Sequence, residues 1–227
     1  CDNHLEGFFS EIENTFHTYR DKLERKAFLE ENYNTKCFLT KEEKIFWAAY
    51  MIVQILRLPN GLDAVEQEIK KHMTYTSDNM LAHDAARWYC LPFFSEINEE
   101  IGQIIKTLLK PMENMHIGVG VDLQGRIITS DNPVYVETSE WPCDEYNKII
   151  FPISSQLCLF LFGKEEKKMV DENFLFPIGE ADREEIIVSL ASNAFKKIYL
   201  SYKLEEHEKE NKCIEEAITN RRKEGEE

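Results

Sequence analysis

The order of the apolar patterns predicts an α+β fold: an N-terminal helical bundle-like part, then a small, mainly antiparallel sheet, then C-terminal helices. Apolar residues recur at helical spacing from residue 5 to about residue 110, and short β-branched runs separated by turn residues take over after that. We therefore predict one domain over residues 1–202. Its helical part covers residues 1–112 and its sheet-containing part covers residues 113–202.

Two helices dominate the N-terminal part. Residues 5–29 are amphipathic, and residues 45–58 are apolar on nearly every side, which predicts the buried centre of the helical part. Only Gln54 and Arg57 interrupt the second helix, and they share one face. Either Arg57 stabilises the last carbonyls of the helix, or Gln54 and Arg57 face a polar pocket.

The sheet is predicted from short apolar runs. Residues 117–121 and 126–129 flank the turn Asp122-Leu123-Gln124-Gly125 and are predicted to form a hairpin. Residues 148–153 and 157–162 are two further strands. The second of these is apolar throughout, so it should be central and covered on both faces.

The C-terminal part is predicted to be helical. An amphipathic helix over residues 184–200 would place Asn193 in its middle. Residues 203–227 are highly charged and carry only a thin apolar seam, formed by Leu204, Ile214 and Ile218. They are predicted to form a charged helix or a fraying tail that folding does not require.

Composition narrows the classes of function. The net charge of −15 disfavours broad binding to nucleic acid and fits a protein partner or self-association. The six cysteines are scattered and form no C-x-x-C pair, so we predict free thiols and neither a metal site nor a cofactor. No run is long enough for a membrane span and no signal-peptide pattern is visible, so the expected location is the cytoplasm, without membrane association.

The stretch from Arg126 to Val136 holds the candidate catalytic residues. Ser130, Asp131 and Asn132 lie between two β-branched runs, and Pro133 holds the residue before it in an extended conformation. This pattern would present a hydroxyl, a carboxylate and an amide together at the end of a strand. The alternative is a turn whose side chains satisfy only its own backbone.

This stretch resembles the signature of a bacterial family built on a domain of unknown function. Family members carry a Thr-Ser-Asp-Asn-Pro-Val motif, which matches residues 129–134, and residues 54–59 resemble the family's Gln-x-x-Arg-x-Pro. Residues 151–159 resemble a strand pair of the family, and the likeness covers residues 5–201. The family's N-terminal His-Tyr-Val-Pro motif is absent here, so either the sequence begins after it or this member lacks it. The resemblance implies an association with bacterial defence genes.

Two classes of function follow. The first is an effector or a ligand- or partner-binding component of an antiphage or toxin-like defence system. The alternative is a hydrolase or nuclease acting on nucleic acid or nucleotide. In that case Asp131 would be the general base or metal ligand, Ser130 and Asn132 would orient the substrate, and Arg57 would anchor an anion with Gln54 beside it. The residues leave open whether the chain is an enzyme.

Overall fold

The computed structural model describes residues 3–29, 39–56, 112, 115–137, 147–163 and 174–224. These residues divide into two compact units, each described by itself below. The first unit holds helix α1 as far as Leu23 together with helix α2, and the second holds the sheet and the C-terminal helices. The predicted domain boundaries at residues 112 and 202 stay predictions.

The first unit is built on two helices, α1 (Asn3–Leu29) and α2 (Lys41–Leu56), as predicted. Trp47, Met51, Ile52 and Val53 of α2 are fully buried, as the apolar pattern of this helix predicts. Aromatic rings of α1 pack on it, and the ring of Phe16 stacks on that of Tyr50 with 4.6 Å between centroids. Ile45, the first residue of the predicted apolar run, is an exception to the all-round apolar pattern, because it is 59% exposed.

The second unit contains seven described strands. They are β1 (His116–Val121), β2 (Thr129–Ser130), β3 (Tyr135–Glu137), β4 (Lys148–Pro152), β5 (Leu157–Phe162), β6 (Phe174–Pro177) and β7 (Ile198–Tyr199). Five form a sheet in the order β3-β4-β5-β1-β6, in which every pairing is antiparallel except β1 with β6. Strand β5 is central, as predicted, and β2 pairs with β7 in a separate antiparallel ribbon. The mixed α+β class and its mainly antiparallel sheet are thereby confirmed.

The predicted hairpin between residues 117–121 and 126–129 is wrong. Strand β1 has β5 on one side and β6 on the other, so neither of its edges is open to the segment that follows the turn. The Asp122 carboxylate accepts the backbone N–H of Arg126 at 2.8 Å, which turns the chain away from β1. Ile127 then donates its N–H to the Ser155 carbonyl, and only Thr129 and Ser130 enter a strand, opposite β7.

Strand β6 was not predicted, and two glycines of β1 explain how it fits. A Cβ atom at Gly118 would lie 3.0 Å from the ring of Phe174, and one at Gly120 would lie 2.8 Å from Ile178 and from the Phe160 ring. Contacts this short leave no room for a side chain. The glycines therefore let the aromatic side chains of β5 and β6 close over β1.

Two helices complete the second unit, α3 (Glu180–Asn193) and α4 (Glu208–Glu224). Helix α3 starts where the Gly179 N–H meets the Asp182 carboxylate, and it ends at Asn193, so that residue is not mid-helix as predicted. Ile214 and Ala217 of α4 are buried in one core cluster with the apolar face of α3. This burial argues against the expectation that folding does not require residues 203–227.

Within the described ranges, no helix combines the length and the apolar character needed to cross a bilayer.

Candidate functional site

The carboxylate of Asp131 binds the backbone that follows α3. Its Oδ1 accepts the N–H of Phe195 at 2.9 Å, and its Oδ2 accepts the N–H groups of Lys196 at 2.8 Å and Lys197 at 3.2 Å. The Asp131 N–H in turn donates to the Lys197 carbonyl at 3.1 Å. Three successive N–H groups directed at one carboxylate make a concave anion site that the protein fills with its own side chain.

Asn132, the residue after Asp131, binds the C-terminal end of α3. Asn132 donates its amide to the Asn193 carbonyl at 3.0 Å, and the Asn193 amide donates back to the carbonyls of Asn132 and Val134. The buried Ser130 hydroxyl donates to the Asn132 carbonyl at 2.7 Å. In the described part of the chain, the buried Oδ1 of Asn132 is the polar side-chain atom of this turn without a hydrogen-bond partner.

The turn formed by Ser130, Asp131 and Asn132 is therefore a clasp on the end of α3. Helix α3 leaves unpaired carbonyls at its C-terminus, and Asn132 satisfies the last of them. The clasp also explains why the helix stops at Asn193 and the chain turns into β7. The Ser130 hydroxyl bonds within its own turn, as one of the two alternatives expects, whereas Asp131 and Asn132 bind the backbone of a segment about 60 residues away. The catalytic role of these residues stays a prediction.

The structure describes one of the two predicted binding residues. Gln54 is half-buried on α2 in the first unit, and Arg57 lies outside the described residues. The predicted convergence of Gln54, Arg57 and Asp131 on one pocket stays a prediction.

A buried ion pair that the sequence reading missed lies at the other end of α3. Arg183 donates Nε to Oδ2 of Asp122 at 3.0 Å and Nη2 to Oδ1 at 2.8 Å, and the side chains are 6% and 0% exposed. Burial alone would raise the pKa of Asp122, but the guanidinium and the N–H groups of Arg126 and Gln124 outweigh it and hold that pKa below its usual value.

A second ion pair, between Arg126 and Glu210, connects this region to α4. Arg126 donates to the buried carboxylate of Glu210 at 2.8 Å. Burial and the charge of Glu210 raise the pKa of Tyr202 to about 12, which keeps this phenol neutral at physiological pH. The Tyr202 hydroxyl is buried without a hydrogen-bond partner in the described part of the chain.

A signal for the pair did exist in the sequence. Arg183 precedes Ile186, Ile187 and Leu190 at spacings of three, four and seven, so it lies on the apolar stripe of its helix. An arginine on a buried stripe needs an anionic partner. Asp122, at the end of a buried strand, was a reasonable candidate for that partner.

Two other kinds of catalytic group are a bound metal ion and a reactive cysteine. The described ranges contain no group of three or more His, Cys, Asp or Glu residues placed to hold a metal ion. Complete burial raises the pKa of the Cys158 thiol, so this cysteine is a poor nucleophile.

A comparison with known protein families shows to which family the chain belongs. The model of a protein family of unknown function, DUF4238, matches residues 1–203. The chain belongs to the DUF4238 family. No curated protein and no solved structure matches it.

The extent of the DUF4238 match separates two parts of the second unit. The matched range includes the clasp, Asp122 and Arg183, and it ends before α4 begins at Glu208. Glu210, which pairs with Arg126, therefore comes from outside the DUF4238 match. The family assignment agrees with the resemblance to a domain of unknown function and assigns no activity.

Proposed function

We propose that this chain is a non-catalytic binding component of a bacterial defence system of the antiphage or toxin-like kind, and that it acts in the cytoplasm through a protein partner or through self-association. The observation that carries the proposal is the engagement of the Asp131 carboxylate by three backbone N–H groups. The defence context rests on the family resemblance alone.

A general base needs an oxygen lone pair that can reach a substrate proton. Both oxygens of Asp131 already accept hydrogen bonds, and the Ser130 hydroxyl donates its proton to a backbone carbonyl. Withdrawing Asp131 would break three charge-assisted hydrogen bonds, and because they lie at an exposed loop, water would offset part of that loss. The clasp is thus better suited to holding a surface in shape than to moving protons.

The charge of the chain also supports a binding role. A net charge of −15 keeps a protein soluble and gives it long-range attraction for basic partner surfaces. Such complementarity mainly raises the rate and the specificity of association.

The alternative, a hydrolase or nuclease that uses Ser130, Asp131 and Asn132 with Arg57 as anchor, makes the opposite prediction for one variant. If Asp131 is catalytic, Asp131→Asn abolishes turnover and leaves the fold nearly intact. If Asp131 is the clasp, the same change lowers stability, because the new amide presents N–H groups to backbone N–H groups.

The test pairs Asp131→Asn with Asp182→Asn. Asp182 is the matched control, since its carboxylate also receives a backbone N–H at an end of α3 and lies in the same unit. Thermal unfolding is measured together with hydrolysis of plasmid DNA, total RNA and nucleoside triphosphates, with and without Mg²⁺. We expect no turnover by the unmodified chain and a larger loss of stability for Asp131→Asn than for Asp182→Asn.

Association is measured separately by light scattering over a range of concentrations. In-cell cross-linking follows, with rebinding of each recovered protein in purified form. Turnover that disappears in Asp131→Asn, without loss of stability, would overturn the proposal. So would a chain that stays monomeric and rebinds none of the proteins recovered.

A further inference from the structure

A basic patch lies where the chain leaves α3 and where α4 ends. We use the term basic patch for Lys196, Lys197 and Arg221 together with the exposed rings of Phe195 and Tyr199. Arg221 donates Nη2 to the Phe195 carbonyl at 3.2 Å, which joins the end of α4 to the loop. All five residues belong to the second unit.

The patch stands out against the acidic composition of the chain. The sequence has 42 acidic and 27 Lys or Arg residues, yet residues 186–204 and 217–223 contain no Asp or Glu. These two segments carry six Lys or Arg residues, and Arg222 and Lys223 follow Arg221 directly in the last turn of α4. The carboxylate of Asp131 lies in contact with this loop and is engaged by its backbone, and Glu224 follows Arg221 by three residues at the end of α4.

The backbone of the patch is held in place. Asp131 fixes the N–H groups of Phe195, Lys196 and Lys197, and Tyr199 is paired with Thr129 in the β2–β7 ribbon. The side chains nevertheless remain open to solvent, with Phe195 38% and Tyr199 51% exposed. Two of the seven exposed large hydrophobic side chains in the described ranges thus lie within five residues of each other, beside two lysines.

We propose that the basic patch binds single-stranded nucleic acid. Phosphates would contact Lys196, Lys197 and Arg221, and unpaired bases would stack on Phe195 and Tyr199. The exposed rings favour this ligand over one recognised by charge alone, because aromatic faces next to cations suit stacked bases. The proposal goes beyond the proposed function and holds whether or not the chain has a protein partner.

The small size of the basic patch and the acidic charge of the chain determine the affinity that we expect for nucleic acid. Contact with three phosphates of a single strand predicts binding that weakens roughly 20-fold between about 50 and about 200 mM salt. We expect this dependence for a fluorescein-labelled oligouridine of ~20 nucleotides, followed by fluorescence anisotropy with the full chain.

The variants separate the patch from overall charge. Lys196→Glu with Lys197→Glu should weaken binding by more than about 10-fold. The matched control is Lys41→Glu with Lys212→Glu, two exposed lysines of α2 and α4 that are not part of the basic patch, which changes net charge equally and should leave affinity within about two-fold. Tyr199→Ala should weaken binding several-fold without changing the salt dependence.

Thermal unfolding of each variant checks that it is folded. If the glutamate pair unfolds, Lys196→Gln with Lys197→Gln repeats the comparison with the smaller charge change. The proposal is overturned by absence of oligouridine binding at low salt, or by equal losses in the patch and control variants. It is also overturned if vesicles containing phosphatidylserine bind the patch and oligouridine does not.

Discussion

Replacing either partner of the Asp122–Arg183 pair should strongly destabilise the second unit. Each carboxylate oxygen accepts one guanidinium N–H and one backbone N–H, so Asp122 has four donors around it. In Asp122→Asn, whichever oxygen becomes NH2 leaves two of these donors facing another donor. Arg183→Met leaves a carboxylate that is 0% exposed with only its two backbone partners.

The expected magnitude follows from the burial of both groups. Breaking a buried pair by removing one partner costs about 3–5 kcal/mol, which lowers the melting temperature of a chain of this size by roughly 6–20 °C. The double variant leaves no unpaired charge behind. Its loss should therefore fall short of the sum of the single losses by about 1–3 kcal/mol.

The assay is urea unfolding followed by far-ultraviolet circular dichroism at neutral pH. The control is Lys212→Met, which removes an exposed partner of Glu216 at 3.7 Å and should change stability by less than about 0.5 kcal/mol. Single losses below about 1 kcal/mol, or strictly additive losses, would refute the reasoning. Either result would mean that the pair contributes little to the folded state.

Two further predictions concern acid and truncation. In the folded chain the pKa of Asp122 lies below its usual value of 3.8. The ionised carboxylate therefore stabilises the fold above pH 3.8, and this stabilisation is lost as the pH falls through the lowered pKa. The gap in melting temperature between the unmodified chain and Asp122→Asn should narrow from about pH 5 to about pH 3, and a constant gap would exclude the carboxylate as its source. Deleting residues 208–227 should clearly lower the melting temperature, because Glu210, Ile214 and Ala217 are buried. Deletion of residues 225–227 alone is the control. Equal melting curves for the two truncated chains would contradict the burial of α4.

The spacing of apolar residues is sufficient to predict those helices and strands whose apolar residues form a regular buried pattern. Helices α1 and α2 and the central strand β5 follow directly from the spacing of their apolar residues. The hairpin prediction failed because it used only the turn, whereas pairing depends on which strand edges remain open. Strand β6 is four residues long and pairs in parallel with a strand more than 50 residues earlier, so no nearby turn reveals it.

The candidate site shows the same limit. The sequence singles out Ser130, Asp131 and Asn132 as candidate catalytic residues, and the structure places them in one hydrogen-bonded turn. Their partners at Asn193 and Phe195 are more than 60 residues away, and nothing in the local pattern identifies them. Apolar spacing predicts a helix that continues to residue 200, whereas the clasp ends α3 at Asn193.

Helix α4 changes how the family match should be understood. The match ends at residue 203, but the core of the second unit continues into α4 through Ile214 and Ala217. The buried carboxylate of Glu210 also pairs with Arg126, which lies inside the matched region. A fragment that ends with the family match would leave the apolar face of α3 uncovered and Arg126 without this partner. In this chain, the structural unit therefore extends beyond the family boundary, and the basic patch depends on that extension for Arg221.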